Sequence, residues 1–221
     1  MSKKLLLFVA VLILAVSDSG AIYAANNSTF NQTINAGALV TDIEDASRVT
    51  VASPSVTFTA KNFSFSCLSG ASASTGTFGT NTQRIYVTNP GGANNGWTLT
   101  LAATSGATAL WGTAIDFNDA TTAGCTDGAD VDTKGGQLTV DPSVGTLTAD
   151  CGSCTTANVT KGSSTAYVQG TTDSVTLLNA ALASDDVWQG YLTGAAMSQT
   201  IPAETATGSY TLNMTLTVTA L

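Results

Sequence analysis

The chain has 221 residues and a formal charge of −8, with 10% charged and 43% apolar residues and no histidine. That composition supports a buried core in one large domain and excludes disorder, and the missing imidazole removes Ser-His-Asp hydrolysis, Cys-His nucleophiles and His-bearing zinc sites. An acidic surface without a basic cluster repels phosphate backbones, so nucleic acid is not an expected partner.

The first 24 residues read as a secretory signal peptide. Lys3 and Lys4 precede the apolar run Leu5 to Val16, and the stretch closes on Ile22-Tyr23-Ala24. The run is too short to cross a bilayer core, which needs about 20 residues, and the small Ala24 suits signal peptidase. Cleavage is expected after Ala24, leaving residues 25–221 as an exported domain with no membrane insertion. Losing two lysines and one aspartate takes the formal charge from −8 to −9. The segment Ala25 to Ala36 is polar, with Phe30 and Ile34 as its larger apolar residues.

Farther along, the apolar residues fall into period two, the spacing of a strand with one buried and one wet face. Val56 and Phe58, Phe63 and Phe65, Ile85 and Val87, and Trp97, Leu99 and Leu101 each follow it. Asn89-Pro90-Gly91-Gly92 and Asn94-Asn95-Gly96 separate the last two of these runs, so the strands around Ile85 and Trp97 are expected to pair as a hairpin. Weaker strands are expected at Gln137 to Val140, at Ser174 to Leu178 and near Ala195 to Ile201. Leu177 to Ala183 reads as a helical turn or two. The clearest alternation closes the chain, where Tyr210, Leu212, Met214, Leu216, Val218 and Ala220 interleave with threonines and Asn213. Threonine fills the outward positions because its β-branch suits a pleated surface. Many short strands between Gly and Asn turns imply an all-β fold, a single antiparallel β-sandwich of immunoglobulin-like or jelly-roll-like type over residues 25–221.

Cys67, Cys125, Cys151 and Cys154 all follow the signal, and an even count in an oxidising compartment reads as two disulfides with three connectivities open. Cys151-Gly-Ser-Cys154 has the spacing of a thiol redox motif but sits among Thr and Gly with no helix following, and no second close pair marks a zinc site. Asp116, Asp119, Asp127, Asp130 and Asp132 precede Lys134 without an intervening Lys or Arg. Calcium takes hard oxygen ligands from Gly-containing loops, so Asp127, Asp130 and Asp132, with Asp116 or Asp119, are its candidate ligands. The spacing fits no complete EF-hand loop, and a solvated acidic loop that discourages edge pairing accounts for the same residues. No other cofactor is implied. Paired carboxylates are available for glycosidase chemistry, but nothing in their surroundings marks a pair, and the chain reads as non-enzymatic.

Trp97-Thr98-Leu99, within Gly96-Trp97-Thr98-Leu99-Thr100-Leu101, resembles the first Trp-x-Leu motif of the WxL family of bacterial surface domains. The closing segment Gly208 to Leu221 is similar to that family's last strand, with Val218 and Ala220 where its second motif has Trp and Leu. Gly37-Ala38-Leu39, the paired Phe63 and Phe65, the Asn-Gly loop before Trp97 and Ile201-Pro202-Ala203 extend the resemblance. It implies an exported, non-catalytic surface domain that associates non-covalently with cell-wall polymer or other surface proteins. Trp97 and Leu99 then serve either wall binding or the core. The competing expectation is a self-assembling subunit of a filament or surface layer, in which Ala25 to Ala36 adds as a strand to a neighbouring molecule.

Overall fold

The computed structural model describes residues 31–35, 37–91, 95–128, 132–182 and 187–221. The signal peptide, its cleavage point, most of Ala25 to Ala36 and Asp130 lie outside them. Chain contacts divide the protein into Met1–Asn35 and Ala36–Leu221. Residues 31–35 of the first unit have no regular structure.

The second unit is built almost wholly of strands. In chain order these are β1 (Val40–Glu44), β2 (Ser74–Phe78), β3 (Arg84–Asn89), β4 (Trp97–Ala103), β5 (Leu110–Trp111), β6 (Ile115–Asp116) and β7 (Leu138–Asp141). They continue with β8 (Thr146–Ala149), β9 (Val159–Lys161), β10 (Thr165–Ala166), β11 (Ser174–Ala180), β12 (Trp188–Thr193), β13 (Ala195–Gln199) and β14 (Met214–Ala220). Every pairing is antiparallel, in sheets ordered β1-β3-β12-β8, β10-β7-β13-β2 and β14-β4-β11-β9, with β5 and β6 as a separate pair. The fold is therefore an all-β sandwich.

The first two sheets share their chain. β2 leads into β3, β7 into β8 and β12 into β13, each passing from one sheet to the other, so the two behave as one long sheet broken along a line through Gly79, Gly145 and Gly194. Gly79 and Gly194 both hold φ of +78°, where a side chain is disfavoured, and the Gly194 amide donates to the Gly79 carbonyl at 2.7 Å. A Cβ on Gly145 would stand 2.7 Å from the Thr193 carbonyl, so the third crossing needs glycine for space.

Against this broken sheet packs the third. β4 alternates buried and half-buried residues along its whole length, placing Trp97, Leu99 and Leu101 inside while Thr98 and Thr100 face outward. Trp97 meets Trp188 of β12 at 5.3 Å between ring centroids, and the Tyr167 hydroxyl donates to the Leu101 carbonyl at 2.7 Å. Those contacts tie the layers through one continuous apolar core.

Two local expectations are corrected. β3 and β4 do not form a hairpin: β3 lies between β1 and β12, whereas β4 lies between β14 and β11. Both strands need a buried face, and their connection carries the chain from one layer to the other instead of returning beside itself. Nor does the expected helical turn start at Leu177, because β11 runs on to Ala180; Ala183, the end of that expectation, lies outside the described residues. A register shift between Thr176 and Leu178 lets the consecutive Leu177 and Leu178 both be buried.

Candidate functional site

Aromatic residues missing from the core gather at one open margin of the second unit. Residues 51–65 form no strand, yet Val56 to Thr59 run extended beside β2, where the Thr59 amide donates to the Thr75 carbonyl at 2.7 Å. Gly76 makes that approach feasible, since a Cβ there would stand 2.9 Å from Val56 Cγ1 and 3.3 Å from the Phe58 ring. The chain from Ile201 to Leu212 covers the other side. Between them opens a cleft of about 400 Å³ walled by Phe58, Phe63, Trp111 and Tyr210, with Lys61 and Asn62 among its polar residues. A second hollow of about 360 Å³ adjoins it through the shared Phe58, Trp111 and Tyr210.

The rings in this cleft are held. Phe58 meets Trp111 edge-on at 5.1 Å, a favoured arrangement for two quadrupoles. The Trp111 indole N–H donates to Gln199 Oε1 at 2.8 Å, and Gln199 Nε2 in turn donates to the carbonyls of Asp116 and Thr200 at 2.9 and 2.8 Å. Gln199 is only 3% exposed, so its amide is a fully used buried connector. The Tyr210 hydroxyl donates to the Ala206 carbonyl, which closes the 206–210 turn. Phe63 and Phe65 pack edge to face at 5.0 Å while 48% and 79% exposed, leaving an apolar surface at the rim.

Behind β6 lies a polar cluster. Asp116, Asn118 and Asp119 are buried, at 1%, 1% and 5% exposure. Asp116 Oδ1 accepts from the amides of Phe117 and Asn118, Asn118 Nδ2 donates to the Ala107 carbonyl, and Asp119 Oδ1 accepts from the Thr121 amide at 2.8 Å. Asp119 Oδ2 and Asn118 Oδ1 are themselves buried and receive no hydrogen bond. Of the proposed calcium ligands, Asp127 is exposed, and Asp132 is half-buried with Oδ1 accepting from the Lys134 amide at 2.9 Å. Among the described residues no three acidic, Cys or His side chains gather as a metal centre.

The cysteines pair as Cys67–Cys125 and Cys151–Cys154, with Cα atoms 5.5 and 5.4 Å apart. The first joins the approach to β2 to the 121–124 turn, and after Cys154 the chain reaches β9 without a helix. Trp97 and Leu99 are fully buried, at 0% exposure. Both belong to the core in this fold, where neither is placed to touch a partner.

The sequence reading did not single out Phe58, Trp111, Tyr210 or Gln199 as a group. Trp111-Gly112, an aromatic before a glycine at φ +62°, was the available signal, but Phe58 and Tyr210 are remote from it in the chain and only the fold brings them near. Comparison with known proteins finds no matching family model, curated protein or solved structure.

Proposed function

We propose that this protein is an exported, non-catalytic surface domain that binds an uncharged stretch of cell-wall polysaccharide in the cleft of Phe58, Phe63, Trp111 and Tyr210. The observation carrying this reading is the half-buried Trp111, fixed by Gln199 and set edge-on against Phe58 inside an open groove. Sugars offer C–H faces to aromatic rings and hydroxyls to amides, and a cleft with a few fixed polar groups among aromatic walls is the usual form of a small-ligand site. The formal charge, −8 for the full chain and −9 without the signal peptide, favours a neutral polymer over a polyanion. The resemblance to WxL surface domains supports the same cellular setting, although Trp97 would serve it through the core. Two disulfides, and the absence among the described residues of any helix long and apolar enough to cross a membrane, are compatible with export.

Co-sedimentation with purified wall is the test. The account expects the protein to pellet with wall and to be released by soluble wall fragments as a monomer. Filaments formed by the purified protein alone, with no wall binding, would overturn it in favour of the self-assembling subunit, for which β14 offers a sheet edge paired only with β4 among the described residues.

A further inference from the structure

The hollow beside the aromatic cleft opens between the two layers and differs from the cleft in chemistry. Two sheet edges flank it. β2 ends its sheet with only the 54–59 segment beside it, and β14 ends the third sheet, paired only with β4 among the described residues. Between them about 360 Å³ of open space reaches Phe78, Leu138 and Met197 on one layer and Leu101 and Met214 on the other. All of these except Met214 are buried core residues, so the floor of the hollow is the core itself. Val56 and Leu212, both half-buried, wall it. Ser55, Thr211 and Asn213 are exposed and therefore stand at the mouth, and none of the described lining residues is charged. The cleft, by contrast, sets Lys61, Asn62 and Gln199 among its rings. A bare sugar suits the cleft, but in the hollow its hydroxyls would be buried against hydrocarbon without partners.

We infer that the hollow takes the alkyl chain of an acyl group esterified to the sugar in the cleft, so that the ligand is an O-acylated wall polysaccharide. This rests on the sugar-binding reading of the cleft and narrows its ligand. Phe58, Trp111 and Tyr210 border both spaces, which puts the place for a sugar ring beside the place for its chain. The uncharged lining suits a neutral substituent. Its volume lies near the lower end of small-ligand sites, roughly 300–1,000 Å³, which admits one short chain and not the paired long chains of a membrane lipid.

The test is calorimetric titration of the full exported chain with methyl, butyl, hexyl and octyl glucosides, each below its micelle concentration. Affinity should rise roughly fourfold for each added methylene until the hollow is full. Leu212→Phe narrows the hollow and should lower octyl glucoside affinity at least tenfold. Met214→Gln keeps the side-chain length but sets an amide against the chain, and it should flatten the series too, which keeps the inference open to refutation if the phenylalanine variant folds poorly. Soluble wall polysaccharide, stripped of its ester-linked acyl groups by mild alkali, should bind at least tenfold more weakly than before treatment. A wild type that binds wall polysaccharide but shows no dependence on chain length, or an undiminished dependence in either folded variant, overturns the inference and leaves the cleft reading standing. Chain-length dependence without any binding of wall polysaccharide supports the alkyl site and overturns the cleft reading instead. Unchanged affinity after alkali, or tighter binding to vesicles of a diacyl glycolipid than to the polysaccharide, would overturn the wall polymer as the source of the chain.

Discussion

Replacing Trp97 tests how the sandwich is held together. Its indole is fully buried on β4, between Ala180 of β11 and Ala220 of β14 in register, and it meets Trp188 across the core. Taking about 200 Å² of indole out of water contributes about 5 kcal/mol at 25 cal/mol/Å², a figure inflated by the extended-chain reference. Truncation to alanine keeps the methyl but leaves a cavity, so Trp97→Ala should cost about 3–5 kcal/mol. A finer comparison uses the indole nitrogens. Trp97 Nε1 is buried without a hydrogen-bond partner, whereas Trp188 Nε1 donates to the Thr155 carbonyl at 2.9 Å. Phenylalanine at 97 loses volume but removes a donor whose burial costs about 1–3 kcal/mol, while phenylalanine at 188 loses volume and a bond together. Trp188→Phe should therefore be more destabilising than Trp97→Phe by about 1 kcal/mol or more. Denaturant melts followed by circular dichroism measure both, since fluorescence is altered by the substitutions. A cost below about 1 kcal/mol for Trp97→Ala, or Trp97→Phe proving the worse of the two phenylalanine variants, would refute this account of the core.

Other consequences follow from the same contacts. Replacing Cys67 and Cys125 by serine opens a loop spanning 58 positions and should cost about 4 kcal/mol on the chain-entropy model, read as a lowered denaturant midpoint. Gly194→Ala has room for its methyl, whose nearest neighbour is the Gly145 Cα at 3.7 Å, but must adopt φ of +78°, so a loss of about 1–2 kcal/mol is expected in the same melts. Burial pushes the Tyr167 phenol far above its ordinary value of 10. The folded state then holds that proton more tightly than the unfolded chain, so the associated stability is complete below about pH 10 and is lost as pH rises beyond it. Absorbance titration should show one tyrosine ionising only together with alkaline unfolding, and a Tyr167→Phe variant should lack it.

Much of the β architecture was legible because its strands bury one face. Trp97, Leu99 and Leu101, and Leu216 with Val218, announce β4 and β14 by strict alternation against threonine, and the pair forms with Leu216 opposite Leu101. β2 and β12 were not legible, since Ser-Thr-Gly-Thr-Phe and Trp-Gln-Gly-Tyr-Leu-Thr interrupt the pattern with glycines that serve backbone packing. At Gly190 a Cβ would stand 2.3 Å from the Thr148 carbonyl and 2.6 Å from the Trp188 ring, a requirement that exists only once the neighbouring strand is in place. Partner choice was hidden for a similar reason: turn residues after Asn89 show that the chain bends, not which sheet it enters next. Disulfide pairing likewise needed the fold to bring Cys67 beside Cys125. The aromatic cleft was the least visible feature, because Phe58, Trp111 and Tyr210 belong to three remote segments and none has a local pattern that marks it as exposed.

Binding of soluble, uncharged wall polysaccharide by the wild type and by Trp111→Ala tests the central proposal most directly. Of the three tryptophans Trp97 and Trp188 are buried, so a change of emission on titration reports mainly on Trp111, and calorimetry gives the affinity of the variant that lacks it. The account predicts saturable quenching or enhancement in the wild type and an affinity loss of at least tenfold in a Trp111→Ala variant that circular dichroism shows to be folded. Equal affinity in the two proteins, or no binding by the wild type, would contradict it.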